Sequence, residues 1–388
     1  MDALLDQVKT LALQADAAGR HKVLDFLRSL QLKLETPHDT LSRYSGLHLQ
    51  ITAARIAEDL DVFKTLSEAT KPLTAAELAS KKNASPMLLG RILRYLASVG
   101  TIDETGPDSF TANAVTKTLS EPGYRGGIYH IFDNCSPAFQ ALPTFLAESN
   151  YQDVTDSAHT AFQKAFHTDL PAFEWFPTQP ERFEALQQVM TVHGAKGVPW
   201  FTVFPFEEEL AGFDLGSQGK YAFVDVGGGL GHQCAALLGA YPQLKDKLAV
   251  QDLPQTLENL PPGVVIPDGI EKVSHDFFQE QPIKGARFYY LRAIMHDWPD
   301  DKCIVILKQL IAASGPQSQI LIDDMVLPDA GVSFEAATID LTMMATLGSR
   351  ERTLKEWHGL LDRAGLKVLH IHTYFARRQD SIIQVVAK

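Results

Sequence analysis

Cysteine is scarce in this sequence: 388 residues contain three, Cys135, Cys234 and Cys303. They are far apart, form no CxxC and cannot all pair within one chain. That excludes a disulfide scaffold or a zinc ribbon and predicts free thiols in a reducing compartment. Long apolar runs are also missing, and none approaches the roughly 20 residues that a membrane span requires. The opening "MDALLDQVKTLALQADAAGR" carries acids early and has no continuous apolar stretch, so no signal peptide is expected. A soluble, cytoplasmic protein with no membrane partner is predicted. Excess positive charge is the third absence. Basic residues number 35 against 47 acidic ones, giving a net charge of −12 with no basic cluster. Phosphate-backbone binding needs clustered Lys and Arg, so no nucleic-acid partner is expected. What remains is an ordinary globular composition, in a chain too long for one core, so two or more domains are predicted.

The first 35 residues place leucines at helical spacing among charges, and "ETPHDT" breaks that pattern. Residues 48–70 read as one further helix. The segment "LTAAELASKKNASPMLLGRILRYLASVGTIDETGPDSFTAN" then gives helix, turn, helix and two short strands, the order of a winged helix. Thr74 and Glu77 form a capping box for its first helix, and Pro86 opens its second. Arg91 and Arg94 lie on that second helix, but Leu88, Leu89, Ile92, Leu93 and Leu96 surround them. Little polar face is left to read base edges, so the fold is expected to serve packing and dimerisation. Residues 120–210 read as helical and aromatic-rich, suited to a core or an apolar pocket. From about 220, strands such as "YAFVDVG", "KLAVQDL", "ARFYYLR" and "QILIDDMVLP" alternate with helices, which predicts a doubly wound α/β sheet. "KVLHIHTYF" and "SIIQVVAK" follow one another directly and predict an antiparallel hairpin at one edge.

The turn "VDVGGGLGHQCAAL" sits where such sheets bind ligands, beyond the carboxyl end of the first strand. The dinucleotide fingerprint fails here, because His232 stands where a glycine is needed after Gly227 and Gly229. No lysine follows to make a phosphate-cradling loop. Asp225 adds negative charge beside Gly227, Gly229 and Gly231, which favours a cationic ligand over a pyrophosphate. S-adenosylmethionine fits that description, having a sulfonium, an ammonium, a ribose and an adenine. Its ribose then needs an acid at the next strand end, which "LAVQDLP" offers in Asp252, followed by Leu253. Its adenine needs an acid and aromatics at the third, which "VSHDFF" offers in Asp276, Phe277 and Phe278.

His296 lies just past the strand "RFYYLR", on the same rim as the glycine turn. Asp324 in "LIDDMVLP" and Glu351 in "GSRERTLKEW" fall at ligand-side ends of their elements. A histidine held by carboxylates is a general-base arrangement, since the carboxylate orients the ring and stabilises the imidazolium. No metal site is expected. The motifs "DVGGGLG", "DLP", "DFF", "YYLRAIMHDWPDD", "LIDDMVLP" and "SRERTLKEW", in this order, resemble those of plant and fungal small-molecule O-methyltransferases.

The resemblance covers nearly the whole chain. It implies a Rossmann-like doubly wound α/β methyltransferase sheet with an N-terminal all-α, winged-helix dimerisation domain. The boundaries read as 1–118 for dimerisation, 119–210 for a helical pocket region and 211–388 for the S-adenosylmethionine-binding domain. It implies His296 as the base flanked by Asp324 and Glu351. Cofactor contacts are implied at Gly227, Asp252, Asp276, Phe277 and Arg292. An intertwined homodimer acting on a small apolar substrate follows as well. Asp324 stands where many relatives have Glu, and Arg292 where plant members often have Lys. Some fungal relatives of this fold bind the cofactor without transferring its methyl group and catalyse pericyclic or dehydration reactions. His130, in "IYHIFDN", is a candidate second acid–base group for such chemistry. A winged-helix regulator that senses the cofactor is a further alternative.

Overall fold

The computed structural model describes residues 2–192, 198–216, 219–260 and 263–388. Its contacts divide the chain into two units, one ending at Lys117 and one from Thr118 to Lys388. The first is helical. Asp2–Gln14 and Ala17–Leu34 are separate helices, and Pro37 begins the next, Pro37–Asp59, instead of only ending the one before. Thr36 and Asp39 cap that third helix reciprocally, with Pro37 at a first position where no amide donor is needed. The single helix expected over 48–70 is two: Asp61 turns left-handed, with φ of 51°, before Val62–Glu68. Asp is among the few non-glycine residues that tolerate that conformation. The winged-helix order follows as read. Ala75–Ser80 is capped by Thr74 and Glu77, and Pro86–Ser98 opens behind Ser85. Strands β1 (Asp103–Gly106) and β2 (Ser109–Thr111) pair antiparallel. Leu89, Leu93 and Leu96 turn inward, while Arg91 and Arg94 are exposed.

The second unit begins with helices. Pro122–Tyr129, a π-helical turn His130–Cys135 and Ser136–Glu148 run end to end. Pro180–Val192 packs closely on the first of these, since a Cβ on Gly126 would meet Gln188 Oε1 at 2.9 Å and the Ala185 carbonyl at 3.1 Å. Part of the helical stretch expected to reach 210 falls at 193–197, outside the described residues.

The sheet then assembles from β3 (Phe223–Val226), β4 (Leu248–Asp252), β5 (Ile270–Ser274), β6 (Phe288–Arg292), β7 (Gln319–Leu327), β8 (Arg352–Thr353), β9 (Leu366–Phe375) and β10 (Asp380–Ala387). Their order is β5-β4-β3-β6-β7-β10-β9, with β8 beside β7. The first five of that order are parallel, and β10 and β9 close the edge as the expected antiparallel hairpin. Strands β3, β4 and β6 are buried almost throughout, as parallel strands covered on both faces must be. Alternate residues feed two cores. Val224, Leu291 and Ile322 pack under Cys303, Ile306, Trp357 and Leu361 on one face. Phe223, Phe288 and Leu321 pack under Trp200, Phe204, Phe206 and Leu237 on the other. All three cysteines are free and buried. Among the described residues, no helix is long and apolar enough to cross a membrane.

Candidate functional site

The glycine turn follows β3. Gly227, Gly229 and Gly231 have φ of 72°, 56° and 73°, a left-handed run that side chains resist. A Cβ on Gly227 would meet Ile294 at 2.6 Å, while one on Gly229 would meet open space. Gly229 is therefore required for its backbone angle, and it leaves the loop bare on the side where a ligand would lie. The Asp252 carboxylate pins that loop, accepting from Gly229 N at 2.8 Å and Leu253 N at 2.8 Å. Asp276 accepts from Phe278 N at 3.0 Å and so folds the turn that presents Phe277 and Phe278. Those rings pack edge-on against Trp298, at centroid distances of 6.1 and 4.8 Å. Asp225 lies behind the loop, fully buried, and its Oδ2 has no hydrogen-bond partner. Burial pushes its carboxyl up to about 7. An orphaned acceptor beneath a bare loop fits the cationic, phosphate-free end of S-adenosylmethionine.

Beyond β6 the chain bends sharply. Ala293 adopts φ of 50°, rare for a residue with a Cβ, and donates its amide to Asp323 O at 3.0 Å. The helical turn Met295–Asp297 follows and carries His296. Its ring Nδ1 donates to Glu351 Oε1 at 2.6 Å, Asp324 Oδ1 stands 3.9 Å from the same nitrogen, and Asp297 Oδ1 lies 3.5 Å from Nε2. Asp324 also accepts from Met295 N at 3.2 Å, so one carboxylate faces both ring and backbone. Burial works to lower the His296 pKa, but Glu351, Asp297 and Asp324 outweigh it and carry it up to about 10. Burial raises Asp297 to about 6 and Asp324 well above its usual range. Arg352, buried beside Glu351, braces the turn through the carbonyls of Met295 (2.8 Å) and Trp298 (2.9 Å). His296, Asp324 and Glu351 also bring possible metal-ligand atoms within 4.8 Å of one another. The Nδ1–Glu351 hydrogen bond, with the Asp324 carboxylate beside the same nitrogen, also makes these three residues an acid–base cluster.

Sequence reasoning missed Asp297, Asp323 and Trp298. Asp297 was hidden by adjacency, because the residue after a catalytic candidate is usually turned away from it; the tight helical turn brings it back to the ring. Asp323 sits next to Asp324, and strand alternation sends the two to opposite faces. It accepts from Arg292 Nη1 at 3.1 Å, from the Tyr374 hydroxyl at 2.8 Å and from the Tyr290 hydroxyl.

His130 stands on a different element. It opens the π-helical turn, where its Nδ1 meets Asn134 Nδ2 at 3.0 Å and its Nε2 lies 3.5 Å from Cys135 Sγ. Burial lowers its pKa to about 4, so it is neutral at physiological pH. Its ring is 6.4 Å from Phe176, which belongs to an apolar cluster with Phe162, Trp175 and Leu347. Met343 packs against that cluster and Met344 against a neighbouring one.

An O-methyltransferase domain family matches residues 153–367, and an O-methyltransferase dimerisation domain family matches residues 42–122. Demethylsterigmatocystin 6-O-methyltransferase of Aspergillus flavus is 43% identical over 388 residues, spanning 100% of this chain and 98% of its own. A 16-O-methyltransferase of Alternaria brassicicola is 42% identical over 98% of this chain and 94% of its own. A solved structure described as a pericyclic reaction enzyme superimposes with a TM-score of 0.94 at 37% identity, covering 100% of this chain and 99% of that one. LepI in complex with SAM superimposes with a TM-score of 0.93 at 37% identity, covering 100% and 98%.

Proposed function

Because the chain belongs to the O-methyltransferase family, we propose that it methylates a phenolic or enolic hydroxyl of an aromatic or polyketide secondary metabolite, with His296 as general base. S-adenosylmethionine is the cofactor, and it supplies an electrophilic methyl group on a good leaving group. In this reading Asp225, Gly227, Gly229 and Gly231 hold its methionine end. Asp252 and Leu253 hold the ribose, Asp276, Phe277 and Phe278 the adenine, and Arg292 lines the same crevice.

The observation that carries the proposal is the imidazole bonded to Glu351 on the rim it shares with the glycine turn. A phenol ionises near ~10, so little phenolate exists at neutral pH and a base must take the proton as oxygen attacks. Glu351 fixes the ring through Nδ1, and the acceptor hydroxyl would meet Nε2, which Asp297 also faces at 3.5 Å. Three carboxylates around one imidazole favour its protonated form, so His296 becomes a competent base as positive charge enters the cluster and offsets them. Asp324 and Glu351 then stabilise the imidazolium formed during transfer. The apolar cluster of Phe162, Trp175, Phe176 and Leu347, and the stacking of Phe173 on Trp298 at 5.9 Å, support a ring-bearing acceptor.

One observation favours a second reading: a 37%-identical structure is described as a pericyclic reaction enzyme. There His130 would act on a substrate beside Phe176 and the cofactor would serve as a bound cation. Product mass separates the two. Incubation with labelled S-adenosylmethionine and candidate polyketides should add one labelled methyl group and release S-adenosylhomocysteine. An unlabelled product of unchanged or dehydrated mass would overturn methyl transfer.

A further inference from the structure

Asp323 and Asp324 are neighbours on β7 that serve different faces. Asp324 faces His296. Asp323 faces the side of the sheet under the glycine turn, where β3 contributes Asp225 and β6 contributes Tyr290 and Arg292. Tyr290 is register partner to Asp225, and Arg292 is register partner to Asp323. Asp323 is 3% exposed and takes three donors at once, the hydroxyls of Tyr290 and Tyr374 and the Arg292 guanidinium. Trp200 stacks on the Tyr290 ring, with centroids 4.9 Å apart, and closes the cluster from outside. Asp225, beside it, keeps a buried carboxylate oxygen with no partner although a buried guanidinium acts on it electrostatically. An arginine has five N–H donors and pairs with a carboxylate wherever geometry allows. Something therefore restrains Arg292 from that oxygen, and Asp323 is the group that binds it.

We propose that Asp323 is a positioning residue for cofactor binding: by anchoring Arg292, it keeps the Asp225 carboxylate open to the ammonium group of S-adenosylmethionine. The inference rests on the reading that this cofactor's methionine end lies at the glycine turn. The groups facing Asp225 are Arg292 from β6, Asp252 from β4, Asp323 from β7 and the buried Cys234 thiol of the helix His232–Ala240. Those facing Asp323 are Arg292, Tyr290, Tyr374 and Asp380 of β10. Among these groups only Arg292 is positive, and it already acts on Asp225 electrostatically, so its release from Asp323 leaves Asp225 as a carboxylate it can turn to.

The test is calorimetric titration of the full-length protein with S-adenosylmethionine and, separately, S-adenosylhomocysteine, across pH. Both ligands carry the ammonium group, and only the first carries a sulfonium. In the unaltered protein, affinity should rise with pH as Asp225 ionises around 7. Asp323→Asn should weaken both ligands by the same factor, on the order of tenfold. It should also move the pH midpoint downward, because a bound guanidinium stabilises the Asp225 anion. Tyr374→Phe removes one donor at the edge of the cluster and should shift both quantities the same way by a smaller factor. This second variant decides the matter if Asp323→Asn does not fold. Unchanged affinity and midpoint in the folded variants would overturn the inference, as would weakening of S-adenosylmethionine alone. If the unaltered protein binds neither ligand, the cofactor reading fails first and the inference with it.

Discussion

At the scale of single residues, the site turns on one imidazole among acids. His296→Ala should lower turnover by about 10²–10⁴ while leaving S-adenosylmethionine affinity intact, read by mass-detected kinetics beside calorimetry. Near-normal turnover would remove His296 from the base role. Asp297→Asn makes a sharper demand. Asp297 is one of the three charges holding the His296 pKa near 10, so its neutralisation should lower the pH at which the base becomes available. The acidic limb of kcat/KM should therefore move to lower pH, whereas a merely structural role would scale the profile without moving it. Sequence made His296, Asp324 and Glu351 legible because each stands at the end of an element on the ligand side. It did not reveal Asp297 or Asp323, whose roles depend on which way a turn and a strand aim neighbouring acids.

At the scale of elements, most of the fold could be read from pattern. The capping box at Thr74, the apolar strands and the glycine turn are local signals, and local signals survive folding. What pattern could not supply was non-local. The helix break at Asp61 leaves no mark in the apolar spacing, and the two-residue strand β8 depends on its partner β7. The fit of Pro122–Tyr129 against Pro180–Val192 is another such feature, and it is testable. Gly126→Ala would press a methyl group into Gln188 and the Ala185 carbonyl, so thermal unfolding should register a loss of about 1–3 kcal/mol. An unchanged midpoint would mean that the two helices separate at little cost.

At the scale of the whole molecule, two charged groups tie stability to pH in one direction. Asp225 is raised from 3.8 to about 7 and His296 from 6.5 to about 10. A raised folded-state pKa means that the folded chain holds the proton more tightly than the unfolded one. Both groups therefore favour folding at low pH and lose that contribution as pH climbs, Asp225 between 3.8 and about 7 and His296 between 6.5 and about 10. A cationic ligand reverses the Asp225 penalty, so saturating S-adenosylmethionine should raise the melting temperature more at about pH 8 than at about pH 5. The opposite order would contradict the placement of a cation over Asp225. The N-terminal unit exposes Leu11, Leu13, Phe26 and Leu34 at 60–78%. With the dimerisation match over 42–122, this leads to an expected solution mass of twice 42.8 kDa by light scattering; a monomer would overturn it. The paired acids of β7 carry a last implication, for the length of that strand. One residue gained or lost ahead of that dipeptide would turn each carboxylate to the opposite face, leaving an acid at only one of the two places they now hold. A change of length in this strand therefore costs one of the two acids.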